Sequence, residues 1–139
     1  MGDRDEAMIE ALRRAYEAFN RGNYDAVLEL ARPDIQYTRT GVEAPLTGTE
    51  ALRAWMEPDA FDRQQTDPLS FEVNGSKVLV RQRFSARGAE SGIELDVNSW
   101  AVFTLDEDGL VARAEMYLRH EEAEARKAAG LSPASRPST

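Results

Sequence analysis

The pair Asn74-Gly75, set between two runs of alternating apolar and polar residues, constrains this chain more than any other feature. Asn-Gly between alternating segments is the strongest short-range signal for a tight β-hairpin. On one side Leu69, Phe71 and Val73 alternate with polar residues; on the other Val78, Val80, Gln82, Phe84 and Ala86 do. Closing the hairpin on Asn74-Gly75 is expected to pair Phe71 with Val78 and Leu69 with Val80. That register turns the Val78–Ala86 set inward and leaves Arg81, Arg83 and Arg87 outside. Two further strands follow the same logic. Residues 93–105 place Leu95, Val97, Ser99, Ala101, Phe103 and Leu105 on one face. After the turn at Asp106-Glu107-Asp108-Gly109, Ala112, Ala114, Met116, Leu118 and His120 share a face to the end of the last strand.

The first half has a different period. Between Asp5 and Arg21, Met8, Leu12, Ala15, Tyr16 and Phe19 recur at helical spacing, and Gly22 suits a left-handed stop. Tyr24, Val27, Leu28 and Ala31 form the stripe of a second short helix ended by Pro33. Ile35, Tyr37 and Arg39 then fall on one face of a strand. Glu50–Met56, capped by Thr49, forms a third helix that presents Leu52, Trp55 and Met56. The stretch from Glu57 to Pro68, with two prolines and many charges, reads as a long irregular connection closing over a cavity. Helices followed by consecutive antiparallel strands specify an α+β fold. Three helices on one strongly curved sheet make a cone whose interior is part core and part cavity. Residues 1–131 are expected to form one domain, with 132–139 as a disordered Pro/Ser-rich tail.

Composition removes several functional classes. The 139 residues contain no cysteine and a single histidine, which leaves no thiolate chemistry and no Cys- or His-rich metal site, so no metal and no cofactor is expected. Seventeen basic side chains against 25 acidic ones give a net charge of −8, a poor match for nucleic acid or an anionic membrane. No run of about 18 apolar residues occurs, and Asp3, Arg4, Asp5 and Glu6 charge the N-terminal stretch, so the expected setting is cytoplasmic, without a membrane span or signal peptide.

Four stretches, in order along about 125 residues, carry a family resemblance. They are Ala15-Tyr16-Glu17-Ala18-Phe19-Asn20-Arg21-Gly22-Asn23-Tyr24-Asp25; Leu46-Thr47-Gly48-Thr49-Glu50-Ala51-Leu52-Arg53; Val102-Phe103-Thr104-Leu105 before Asp108-Gly109-Leu110-Val111; and Met116-Tyr117-Leu118 leading to Ala128-Ala129-Gly130-Leu131. Together they resemble the SnoaL-like proteins of the nuclear transport factor 2-like superfamily. The resemblance implies a cystatin-like cone: a curved antiparallel sheet against three N-terminal helices. Relatives include polyketide cyclases, ketosteroid isomerase and limonene epoxide hydrolase, but their catalytic residues do not carry over. The isomerase's carboxylate base matches Arg39, its oxyanion tyrosine falls near Ala15 with Tyr16 adjacent, and its protonated aspartate falls near Ala101 or Ser99. The hydrolase's strand tyrosine matches Tyr37, while its last-strand aspartate matches Met116. The resemblance implies a pocket without the usual carboxylates.

Within that pocket Tyr37 and Arg39 form the candidate catalytic or charge-binding pair, a phenol donor and a fixed cation for a carboxylate, enolate or phenolate. The alternative is that Arg39 turns to Glu43 or solvent. His120 is the one ready-made general base, or else a surface histidine beside Glu121 and Glu122. Gln82 either orients a ligand or satisfies backbone. Candidate lining residues are Tyr16, Phe19, Trp55, Phe61, Phe71, Gln82, Phe84, Ser99, Ala101, Phe103, Met116 and Leu118. Trp100 and Tyr117 have outward parity and are expected to bury against a second copy in a homodimer. The expected partner is a small hydrophobic molecule of cyclic, polyketide- or terpenoid-like type. It is held either by a cofactor-free isomerase, cyclase or hydrolase, or by a non-catalytic dimeric ligand-binding or stress-associated module.

Overall fold

The computed structural model describes residues 2–40, 44–56 and 61–132. Helix α1 (Asp3–Asn20) buries Met8, Leu12 and Tyr16 at the expected spacing, and Gly22 adopts the left-handed φ of 74° that ends it. α2 (Tyr24–Glu29) is a short helix whose Asn23 side chain accepts from the Ala26 N–H. The first strand, β1 (Ala31–Arg39), begins four residues earlier than the sequence pattern indicates: Ala31 and Pro33 belong to it, not to the preceding helix. After β2 (Leu46–Thr47) comes α3 (Thr49–Met56), which buries Leu52 and Met56. The long strands are β3 (Phe61–Asn74), β4 (Lys77–Gly88), β5 (Glu94–Leu105) and β6 (Val111–Tyr117); a last helix, α4, spans Glu122–Ala128.

The sheet runs β2-β1-β6-β5-β4-β3. Neighbouring strands are antiparallel except β1 and β6, which run parallel. The expected α+β cone is present and its consecutive strands β3 to β6 pair antiparallel; the one parallel pair has a topological reason, because the last strand returns beside the first. The stretch read as irregular also needs correction. Phe61–Pro68 is the first half of β3, and only 57–60 lie outside the described residues. Pro68 is tolerated because β3 is an edge strand, and the register shifts beside it, between Pro68 and Ser70. Asn20 supports this edge from α1, donating to the Thr66 carbonyl at 2.9 Å and accepting from the Thr66 N–H at 2.7 Å.

The hairpin forms, with a corrected register. Gly75-Ser76 is the loop and Asn74 pairs with Lys77, so Phe71 faces Val80 and Val73 faces Val78. Gly75 takes the positive φ of 64° and Ser76 does not, which is the φ pattern of a type II′ turn. Asn74 is withheld from the turn because its side chain has another use: its amide donates to the carbonyls of Ala129 (2.9 Å) and Gly130 (3.1 Å). The slip is two residues, so Phe71 and Val73 stay on the face of Val78 and Val80, whereas Leu69, expected inward opposite Val80, falls in the register shift beside Pro68 and is exposed. β6 ends at Tyr117, which leaves Leu118 and His120 exposed beyond the strand. An irregularity opposite Thr104-Leu105 also shifts the parity, so Val111 and Ala114 are buried in place of an Ala112–Ala114 alternation.

Two cores result. On the concave side Met8, Leu12, Ile35, Leu52, Met56, Val78, Val80, Ala101 and Leu105 pack together under α1 and α3. On the convex side α4 seats Ala125 and Ala129 on Leu79 and Val102, with Trp100, Tyr117 and Leu131 packed around them. The face expected to meet a second copy thus carries a partial cover from the same chain, and the Trp100 Nε1–H donates to the Arg119 carbonyl at 3.2 Å. α4 and the residues after it are clamped to the sheet. Lys77 donates to the Ala128 carbonyl, and buried Arg126 donates to Glu72 (2.6 and 3.2 Å) and to the Ser132 carbonyl (2.6 Å). Of the tail assigned to 132–139, residues 133–139 lie outside the described residues.

Outside, Arg83 pairs with Asp96 as expected of facing strands, while Arg87 pairs with Asp62 on β3. Such exposed pairs contribute little to stability. The Arg126–Glu72 pair differs because Arg126 is buried and Glu72 is half exposed. Glu72→Ala strands a buried guanidinium and is expected to lower stability by about 1–3 kcal/mol. Arg126→Met returns the carboxylate to water and is expected to cost less. Urea unfolding of the two variants checks this order.

Candidate functional site

The curved sheet has more concave surface than α1 and α3 cover, and the remainder encloses a cavity of about 670 Å³. Its size lies within the range of small-molecule sites. One wall is α1, which contributes Leu12, Ala15, Tyr16 and Phe19; α3 contributes Leu52, Trp55 and Met56. The floor is the inner face of the sheet, where Ala114 of β6 is small enough to leave space.

The expected residues divide cleanly. Tyr16, Phe19, Tyr37, Arg39, Trp55, Phe61, Gln82, Phe84, Ser99, Phe103 and Met116 line this cavity. The other four lie elsewhere. Phe71 lies outside the lining, with the Arg13 guanidinium 5.0 Å above its ring. Ala101 is fully buried in the sheet core. Leu118 and His120 follow the end of β6 and are exposed, so the histidine is no part of the cavity wall. Sequence reasoning missed Gln64 and Thr66, which line the cavity from the part of β3 read as a loop. The polar run from Asp62 to Asp67 carries no apolar alternation that would have revealed them.

Tyr37 is held where the expectation placed it. It sits on β1 between β6 and β2, opposite Ala114 and Leu46, and its ring packs on Trp55 with centroids 4.6 Å apart. The side chain is buried, yet among the described residues its hydroxyl makes no hydrogen bond. Among the described residues no buried side-chain nitrogen or oxygen is orphaned, so this hydroxyl opens onto the cavity. Burial pushes its pKa well above the ordinary phenol value, and the nearby Arg39 charge only partly offsets that. Arg39 shares the cavity wall at the strand end, opposite Met116, with much of its side chain in water. It makes no ion pair among the described residues, and Glu43, the alternative partner, lies outside them.

Gln82 resolves differently. Its Oε1 accepts from the Tyr16 hydroxyl at 2.6 Å, while its Nε2 donates to Ser99 Oγ at 3.1 Å and toward Met116 Sδ at 3.7 Å. The glutamine therefore ties helix α1 to strands β4 and β5 rather than standing free. Tyr16 is fully enclosed, and burial followed by repulsion from Tyr37 drives its pKa far upward. Gln64 is likewise committed, donating to the Met56 carbonyl at 2.7 Å and to the Tyr24 hydroxyl at 3.3 Å.

The chemistry available follows from this census. Among the described residues no aspartate, glutamate or histidine lines the cavity, so no general base faces it at neutral pH. Both tyrosines stay protonated and the guanidinium does not lose its proton. The wall thus offers proton donors and one positive charge on a largely apolar surface.

Comparison with solved structures finds the same architecture. A candidate SnoaL-like polyketide cyclase from Jannaschia sp. CCS1 superposes with a TM-score of 0.75 at 20% identity, over 84% of this chain and 88% of that one. SalBIII, an epoxide hydrolase/cyclase-like enzyme of pyran ring formation in the polyether salinomycin, gives 0.75 at 18% identity, over 84% and 93%. TerC, co-crystallised with polyporic acid, gives 0.69 at 18% identity, over 79% and 89%. At these identities the likeness is one of fold. No curated protein sequence matches the chain. Residues 12–114 match the SnoaL-like domain, which spans α1 through the middle of β6 and so takes in nearly the whole cavity wall; the chain belongs to the SnoaL-like family.

Proposed function

We propose that this protein binds a cyclic, mostly apolar organic molecule of polyketide or terpenoid type, and grips an anionic or hydrogen-bond-accepting oxygen of it at Tyr37 and Arg39. The observation that carries this reading is the Tyr37 hydroxyl: borne on a buried side chain, open to the cavity, and, among the described residues, without a hydrogen-bond partner and beside a guanidinium that makes no ion pair. An unpaired phenol in a nonpolar wall costs stability unless something accepts its proton. The surrounding apolar lining supplies affinity through burial, and the two polar groups supply orientation. TerC, of the same fold, was crystallised with an organic acid, and SalBIII is named for ring formation in a polyether; both suit a cavity of this kind.

The lining favours holding a ligand, or steadying negative charge that develops on it, over chemistry that removes a proton from carbon. Such a reaction needs a base, and the described wall has none.

Calorimetry with 2-naphthoic acid and its neutral analogue 2-ethylnaphthalene tests the reading. Arg39→Met is expected to weaken the acid by about 1.5 kcal/mol, roughly tenfold, a figure held at the low end of charge-assisted bonds because the guanidinium is partly in water. The hydrocarbon should barely respond. Equal losses would reduce Arg39 to a packing role, and no binding of either compound would end the proposal. Tyr37→Phe is expected to weaken the acid about threefold to tenfold while changing folding stability by less than about 1 kcal/mol, since the lost hydroxyl has no protein partner. The sign of the tyrosine shift sets the pH dependence. A raised pKa keeps Tyr37 protonated and donating beyond the ordinary phenol range, so affinity for the acid should stay level from pH 6 to pH 10. A decline centred near pH 6.5 would implicate His120, the single histidine of the chain, and contradict its placement outside the cavity.

A further inference from the structure

A second station for the ligand is set by the hydrogen-bond chain Tyr16–Gln82–Ser99. The direction of this chain is fixed by its geometry. The Tyr16–Gln82 contact is 2.6 Å, short for an N–H donor and ordinary for O–H to oxygen, so the amide oxygen faces Tyr16. The amide nitrogen then faces Ser99 Oγ and Met116 Sδ, and the thioether can only accept. An amide nitrogen has no lone pair to give. Ser99 Oγ must therefore accept from Gln82, and its own proton has to point elsewhere. Among the described residues nothing accepts it, and Ser99 lies on the cavity wall.

We propose that Gln82 presets Ser99 as an outward hydrogen-bond donor, so that the cavity selects ligands carrying a second acceptor oxygen, a carbonyl or ether, at the end away from Arg39. The inference rests on the ligand-binding reading above and adds the substrate class: a rigid apolar ring system oxygenated at both ends. Its length follows from the sheet. Arg39 pairs with Met116 of β6 and Met116 with Ala101 of β5, so Ser99 lies two strand spacings across the sheet and two residues along it, about 12 Å away from backbone to backbone. Between them the floor is Ala114 and Met116, apolar and without a hydrogen-bond donor. Ser99 Oγ keeps a second lone pair, so a ligand hydroxyl can also be met there, but only a ligand atom that accepts uses the unpartnered serine proton. Gln82 acts as a positioning residue, since its amide reaches the ligand only through the serine.

The test compares 6-acetyl-2-naphthoic acid with 6-isopropenyl-2-naphthoic acid, which replaces the ketone oxygen by a methylene of the same shape. The native protein is expected to prefer the ketone by about fivefold, the usual worth of one neutral hydrogen bond. Ser99→Ala should bring that ratio to about one while leaving the isopropenyl affinity within twofold, and Ser99→Thr, which keeps the hydroxyl, should retain it. Arg39→Met should weaken both acids alike and leave the ratio intact. If Arg39→Met weakens both acids but the ratio is one in the native protein, or survives Ser99→Ala, the second station is overturned and the first stands. If neither acid binds, or Arg39→Met changes neither, the underlying reading falls and this inference falls with it.

Discussion

Everything about this molecule depends on incomplete coverage of a curved sheet. Six strands curl round a concave face, and α1 and α3 pack against it. Helices are straight and about 10 Å wide, so they fill the base of the cone and leave the rest open. Small Ala114 on the floor and aromatic rings on the walls keep the space from collapsing. A close-packed interior would be the ordinary outcome for a domain of this length. Here the void is held open by rings braced on one another, Tyr16 edge-on to Phe103, Tyr37 against Trp55, and Phe61 against Phe84.

Polarity inside the cone is placed with equal economy. Tyr16 donates to Gln82 and Gln82 to Ser99, which joins α1 to two strands, while Gln64 holds the end of α3. After those contacts are made, the Tyr37 hydroxyl and the Ser99 proton are without a partner among the described residues. The environment of Tyr37 keeps the proton on oxygen, and Arg39 supplies a positive field at the strand end. Among the described residues the wall carries hydrogen-bond donors and one positive charge but no carboxylate or imidazole. The same fold in the cyclase- and hydrolase-like relatives is no guide to chemistry here, because a shared cone says nothing about which side chains point into it.

The convex side shows how a short helix stabilises a surface that the sheet alone would leave apolar. α4 covers Leu79 and Val102, and its C-terminal carbonyls are met by Asn74 and Lys77 from the hairpin tip. Arg126 locks the arrangement through Glu72. Asn74 thereby serves the helix in place of the turn, and this single side chain accounts for the two-residue difference between the expected and observed hairpin registers.

By itself the sequence determined the elements with strong period: the three helical stripes, the inward face of β4, and the positions of Tyr37 and Arg39 on a strand. Those follow from local geometry, a 3.6-residue or two-residue repeat that needs no knowledge of neighbours. Its resemblance motifs also carried the cone and the missing carboxylates, since they match in order along most of the chain. Only the tertiary structure decided the rest. The parallel pairing of β1 with β6 joins segments some 80 residues apart and leaves no mark on either. The early half of β3 has a polar inner face, because it lines a cavity instead of a core, and so shows no alternation. Which hydroxyl is free and which is engaged, Tyr37 against Tyr16, depends on a glutamine 66 residues from its partner; hydrogen-bond satisfaction is settled by what the fold brings within 3 Å, and no spacing along the chain encodes that distance.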